Sequence, residues 1–205
     1  MIVGYQISGH DNDSYMLGEE SRKAETPDEY EFYDWRFTFN GGQHPATCKK
    51  CGRKIDPNFV DPNFKLRKKR LDISTTYDGY TIVSERFKNF CMNENIDGIE
   101  FIKLPSQPGF YWFRLNRILI VDQEKSLELE FMYYCDVCNS YAGIFGASGL
   151  KFKNVSELIP EGIYRTDLEF AQAHEQSPII ISSVELGNLI KAQNFRGICI
   201  NSLAV

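Results

Sequence analysis

The chain has 205 residues, 42% hydrophobic and 14% aromatic, which is enough to bury the core of a single domain. Its formal charge of −5 and sequence pI near 5.3 make nucleic acid an unlikely default partner. No segment approaches the roughly 18 apolar residues of a membrane helix, and the start lacks the basic stretch and apolar run of a secretory signal, so the expectation is a cytoplasmic protein with reduced thiols.

In chain order, residues 1 to 7 are predicted as a short first strand and residues 8 to 29 as a polar loop or arm. Between 19 and 34 lie seven acids against two bases, interleaved towards the end with aromatic rings. Such a run is either a solvated face or a docking surface for a basic partner. On the second reading Glu19, Glu20, Asp28, Glu29, Tyr30, Glu31, Tyr33, Asp34 and Trp35 are the candidate partner-binding residues. Aromatic side chains anchor interfaces and acids steer a basic protein. Residues 30 to 39 alternate aromatic and polar side chains, the period of a half-buried strand.

The next feature is Cys48-Lys-Lys-Cys51-Gly52, matched far downstream by Cys135-Asp-Val-Cys138-Asn139. Two C-x-x-C knuckles supply four thiolates, the closed shell of a structural zinc ion with no open position for substrate. Gly52 and Asn139 each follow a second cysteine, where a left-handed turn suits glycine or asparagine. The gap from 52 to 134 is 83 residues, against roughly 15 to 20 in an ordinary ribbon. Segments 44–56 and 129–145 are therefore predicted to form an interrupted zinc ribbon that clamps two distant parts of the chain. Reduced pairs without metal, or disulfides, are the alternatives. Cys91 and Cys199 sit in apolar patterns and are expected as buried thiols.

Asp56-Pro57 and Asp61-Pro62 mark turns. Lys65 to Arg70 is the one dense basic cluster, the basis for an alternative reading as a zinc-ribbon protein associated with nucleic acid. Gly79 to Val83 reads as a strand, Ser84 as a helix N-cap, and Phe87, Phe90 and Cys91 as one apolar helix face, with Ile99 to Lys103 as the next strand. Three further strands are predicted over 110–115, 117–121 and 127–134, and strand-like sequence continues over 145–152. Short helical turns are expected at 154–158 and at Thr166 to Phe170.

The segment 178–203 echoes 79–104 without a gap at an offset of 99. Ser183 stands for Ser84, Leu186 for Phe87, Asn194 for Asn95 and Gly197 for Gly98. Two related strand-helix-strand units follow from this grammar. The expected fold is a single α+β domain over 1–205, with a mixed or antiparallel sheet, those two units and the interrupted four-cysteine ribbon.

Catalytic motifs are missing from the sequence. His44 lies four residues before Cys48 and is a conceivable ligand, but four cysteines already complete a shell. His174, beside Glu175, is expected at the surface. The two knuckles, Tyr164 to Phe170, Pro178 to Ser183 and Gly197 together resemble the bacterial double-CXXCG-motif proteins. Asp78 to Lys88 with Gly98 to Phe101 is similar to a wider class of immunity-type domains. Asn139 departs from that pattern, which implies glycine there. Some of the double-CXXCG family are immunity proteins, and the resemblance implies a non-enzymatic cytoplasmic binding protein; with the zinc that the knuckles predict, the expected function is to bind and neutralise a cognate bacterial toxin by occlusion.

Overall fold

A computed structural model describes residues 1–18, 38–39, 42–153, 155 and 157–204. The strands are β1 (Ile2–Asp11), β2 (Thr38–Phe39), β3 (Gly42–Gln43), β4 (Ile73–Thr75), β5 (Thr81–Ser84), β6 (Ile99–Lys103), β7 (Phe110–Leu115), β8 (Ile118–Leu119), β9 (Glu130–Cys135), β10 (Ser140–Phe145), β11 (Ile163–Gln172), β12 (Ser177–Ser182) and β13 (Ile198–Ala204). Helix α1 (Glu85–Asn93) lies between β5 and β6, and α2 (Val184–Ala192) between β12 and β13.

Eleven strands form one mixed sheet in the order β6-β7-β5-β4-β1-β12-β11-β10-β9, with β13 also on β1 and β8 on β11. The β1–β4 and β8–β11 pairs are parallel, and β2–β3 is a separate antiparallel pair. The architecture is α+β and dominated by sheet.

Both helices start on a capping serine, Ser84 at the end of β5 and Ser183 just after β12. Ser84 Oγ accepts from the Phe87 amide and Ser183 Oγ from the Leu186 amide, each at 3.3 Å. That satisfies one of the unpaired donors of each first turn. Positions 99 apart match in several further ways. Asn95 and Asn194 both have φ of 51°, and Gly98 and Gly197 follow with φ of 72° and 80°. The Ser84 and Ser183 amides donate to Asp72 and Gly162 carbonyls, each at 2.9 Å. Trp112 of β7 faces Ile82 on one side and Ile102 on the other. Gln6 of β1 faces Ile181 and Asn201 in the same way. The N-terminal strand thus occupies, beside β12 and β13, the place that β7 occupies beside β5 and β6.

The helices cover one side of the sheet. Phe87, Phe90 and Cys91 of α1 and Leu186 and Ile190 of α2 join Ile7, Ile73, Val83, Phe113 and Leu115 in the main core. Phe87 is fully buried and meets Phe113 and Phe195 edge to face at 5.6 and 5.0 Å. Burying each such ring contributes about 1.5–3 kcal/mol. A second cluster joins Met16, Leu17, Phe64 and Leu66 to Tyr80 and Ile82. The Asp78 carboxylate ties in the segment before the acidic stretch, accepting from the Met16 and Leu17 amides at 3.0 and 2.6 Å.

Several expectations need correcting. The first strand extends to Asp11, because the end of β1 adds β4 as a partner. Ser14 to Leu17 is anchored in the core, not a free arm. Residues 166–170 form the middle of β11 rather than a helical turn. Their polar side chains are answered from distant elements: Thr166 Oγ1 accepts from the Ile179 amide and Asp167 from the Val121 amide. Residues 146–152 are turns and a single bridge, Phe152 to Val121, rather than a strand. The turn expected at 154–158 includes two residues outside the described set, and the strand expected at 30–39 lies outside it except for Thr38 and Phe39.

Candidate metal centre

The first knuckle is a tight loop. Cys48 N–H donates to the Arg53 carbonyl at 2.7 Å and Gly52 N–H to the Cys48 carbonyl at 2.9 Å. Thr47 bridges to Lys54 behind it. The second knuckle is the turn of the β9–β10 hairpin, closed by the Cys135–Ser140 pair. Gly52 and Asn139 have φ of 71° and 52°, so asparagine takes in one knuckle the left-handed position that glycine takes in the other.

The two loops bring four sulfurs together. Cys48, Cys51, Cys135 and Cys138 have Sγ atoms all within 4.8 Å of one another, a set that can hold a metal ion. Cys48 and Cys135 are 3.8 Å apart, and Cys51 and Cys138 3.5 Å. Three of the four are buried, Cys138 is half-buried, and all are free thiols rather than disulfides. Burial pushes the Cys51 thiol up and the Cys138 thiol up to about 11. Burial also raises Cys135, but the Cys138 and Val137 amides outweigh it, with help from neighbouring thiols, and bring it down to about 7. An ion held by all four would need thiolates, so its affinity would depend on pH.

Protein contacts also join the knuckles. Arg53 donates to Glu169 at 2.9 Å, to Gln176 at 2.8 Å and to Ser140 at 3.2 Å. One guanidinium thus ties the first knuckle to β10, β11 and the segment leading into β12. Gln176 Nε2 donates in turn to the Tyr141 carbonyl. Lys50 and Asp136 pair at 2.7 Å, but both are exposed and their pairing contributes little. Arg53 follows Gly52 directly, yet nothing in its local pattern announces partners 116 and 123 residues away.

The other expected residues fall as follows. His44 is not part of the thiol set; its Nδ1 accepts from the Ala46 amide and its ring meets Phe59 edge-on. His174 is 2% exposed, in a 3-10 turn after β11, rather than at the surface. Cys91 is buried and Cys199 half-buried. In the basic cluster, Leu66 is buried and Lys68 pairs with Asp13 at 2.9 Å. Glu19, Glu20, Asp28, Glu29, Tyr30, Glu31, Tyr33, Asp34 and Trp35 lie outside the described residues. Among the described residues no helix is long and apolar enough to cross a membrane. Neither a protein-family model nor a curated protein matches this chain.

Proposed function

We propose that this protein is a cytoplasmic immunity protein that binds a cognate bacterial toxin and neutralises it by occlusion, with one structural zinc ion. The observation that carries the reading is the four-thiol cluster. Four thiolates leave a bound ion no open position for substrate, which favours a binding protein over a metalloenzyme. The double-knuckle pattern and the immunity-type segments around Asp78 to Lys88 supply the class. Zinc is the metal of choice, because bonds of about 2.3 Å to a tetrahedral ion set sulfurs about 3.8 Å apart. The separations of 3.5 and 3.8 Å lie close to that value.

On this reading segments 44–56 and 129–145 are the two halves of an interrupted zinc ribbon. Segments 79–104 and 178–203 are related strand-helix-strand units, supported by the matching caps, turns and registers 99 residues apart. The acidic and aromatic stretch from Glu19 to Trp35 is the surface proposed for a basic toxin.

The test is co-purification from the native lysate with a metal assay on the same sample. The expected result is about one zinc per chain and a protein partner that is toxic when expressed alone and harmless when expressed with this chain. A partner whose toxicity persists on co-expression removes the immunity reading. Metal-free protein after anaerobic handling removes the zinc.

A further inference from the structure

Beside the thiol cluster lies a cavity of about 970 Å³, bounded by the first-knuckle loop, β7 and the β11–β12 hairpin. That is the size of a small-molecule site. Its charge runs against the rest of the molecule. Among the described residues, Lys49, Arg53, Lys54, Arg114 and Arg165 line it against Asp56 and Glu169, five positive groups to two negative, in a chain of net charge −5.

Two of these cations already have carboxylate partners: Arg53 pairs with Glu169, and Arg114 pairs with Glu100. Lys54 and Arg165 are different. Lys54 Nζ donates to the Asp78 carbonyl and stands 4.9 Å over the Tyr80 ring. Arg165 Nε and Nη1 donate to the Leu115 and Thr166 carbonyls at 3.0 and 3.1 Å. Main-chain oxygens therefore hold both side chains in place, and neither makes an ion pair among the described residues. Burial lowers Lys54 to about 8, outweighing the Asp78, Glu169 and Glu175 carboxylates that pull it the other way, the mark of an ammonium short of solvation. An anion entering the cavity would supply what the protein leaves out. The lining also carries apolar surface: Trp112 meets Tyr80 edge-on at 5.0 Å, and Ile55 and Val137 stand exposed there.

We propose that this cavity binds a small organic anion, a carboxylate or phosphate monoester on a flat apolar body. Arg165 and Lys54 take the charged group, and Trp112 with the exposed Ile55 and Val137 takes the body. The site is independent of the immunity reading and of any toxin surface.

The chain has two tryptophans, Trp35 and Trp112, so a Trp35→Phe background leaves Trp112 as the sole reporter. Phenyl phosphate and benzoate are titrated into the zinc-loaded protein while tryptophan fluorescence is followed. At least one is expected to give a saturable change with a Kd on the order of 0.1 mM. Arg165→Gln and Lys54→Gln are each expected to weaken it about tenfold, whereas Lys153→Gln leaves it unchanged. Benzyl alcohol or inorganic phosphate binding as tightly as the aromatic anions overturns the proposal, as does a lack of saturation by about 10 mM. These arms need only the Trp35→Phe protein. If Arg165→Gln fails to fold, because its guanidinium also ties two carbonyls, they and Lys54→Gln still decide the matter.

Discussion

At the level of single residues, the clearest demand is the left-handed turn that ends each knuckle. An L-residue with a β-branch pays about 1–2 kcal/mol to enter that region, and asparagine tolerates it best after glycine. Asn139→Gly is therefore expected to leave urea-induced unfolding of the metal-loaded protein nearly unchanged. Asn139→Val and Gly52→Val are each expected to lower stability by about 1–2 kcal/mol and to weaken metal retention in a chelator competition. Equal behaviour of Asn139→Gly and Asn139→Val would show that the turn is not under this constraint. The cysteines and their turn residues were legible in the sequence because the chemistry is local: two sulfurs and one special φ within five positions. Arg53 was not, because its three partners lie on β10, β11 and the segment leading into β12.

At the level of elements, the two helices were legible for a similar reason. A serine cap and apolar side chains at spacings of three and four are local signals, and the caps formed as the sequence implies. The caps differ in what surrounds them. Ser183 Oγ serves the Leu186 amide. Ser84 Oγ serves the Phe87 amide and also donates to Asp72 at 2.8 Å. Asp72 in turn accepts from Arg86 and from the Arg196 amide, so Ser84 joins α1 to the turn before β13. Ser183→Ala is expected to cost about 1 kcal/mol. Ser84→Ala is expected to cost about 1 kcal/mol more, since a largely buried carboxylate loses a donor; equal midpoint shifts in urea would contradict the difference. β11 shows where local reading fails. Thr166, Asp167 and Glu169 look like the polar start of a helix, but, apart from a bond from Thr166 to the Leu168 carbonyl, their side chains accept from Ile179, Val121 and Arg53. Non-local partners decided the backbone, and no window around residue 166 contains them.

At the level of the molecule, two devices hold distant chain together. One is β1, which joins β12 and β13 on its two edges and adds β4 at its end. The other, once it holds a metal ion, would be the thiol cluster, which is separate from the main helix-and-sheet core: its packed apolar neighbours are its own cysteines and Ala142. Metal binding to a small peptide contributes about 10–16 kcal/mol apparent to folding because nothing else orders the ligands. Here Arg53 already orders them from the protein side, and the main core closes without them. Removing the metal with a chelator under reducing conditions should therefore loosen a region rather than unfold the chain. Hydrogen exchange of the stripped protein is expected to lose protection over residues 46–54 and 130–145. Protection over α1 and α2, whose buried faces lie in the main core, is expected to stay. Arg53→Ala should leave the metal-loaded protein folded but extend the loss in the stripped protein into β11 and the segment leading into β12, because Arg53 ties the first knuckle to both. If stripping the metal from the unaltered protein instead exposes the helices as fast as the knuckles, the cluster holds the whole fold and the core does not close without it.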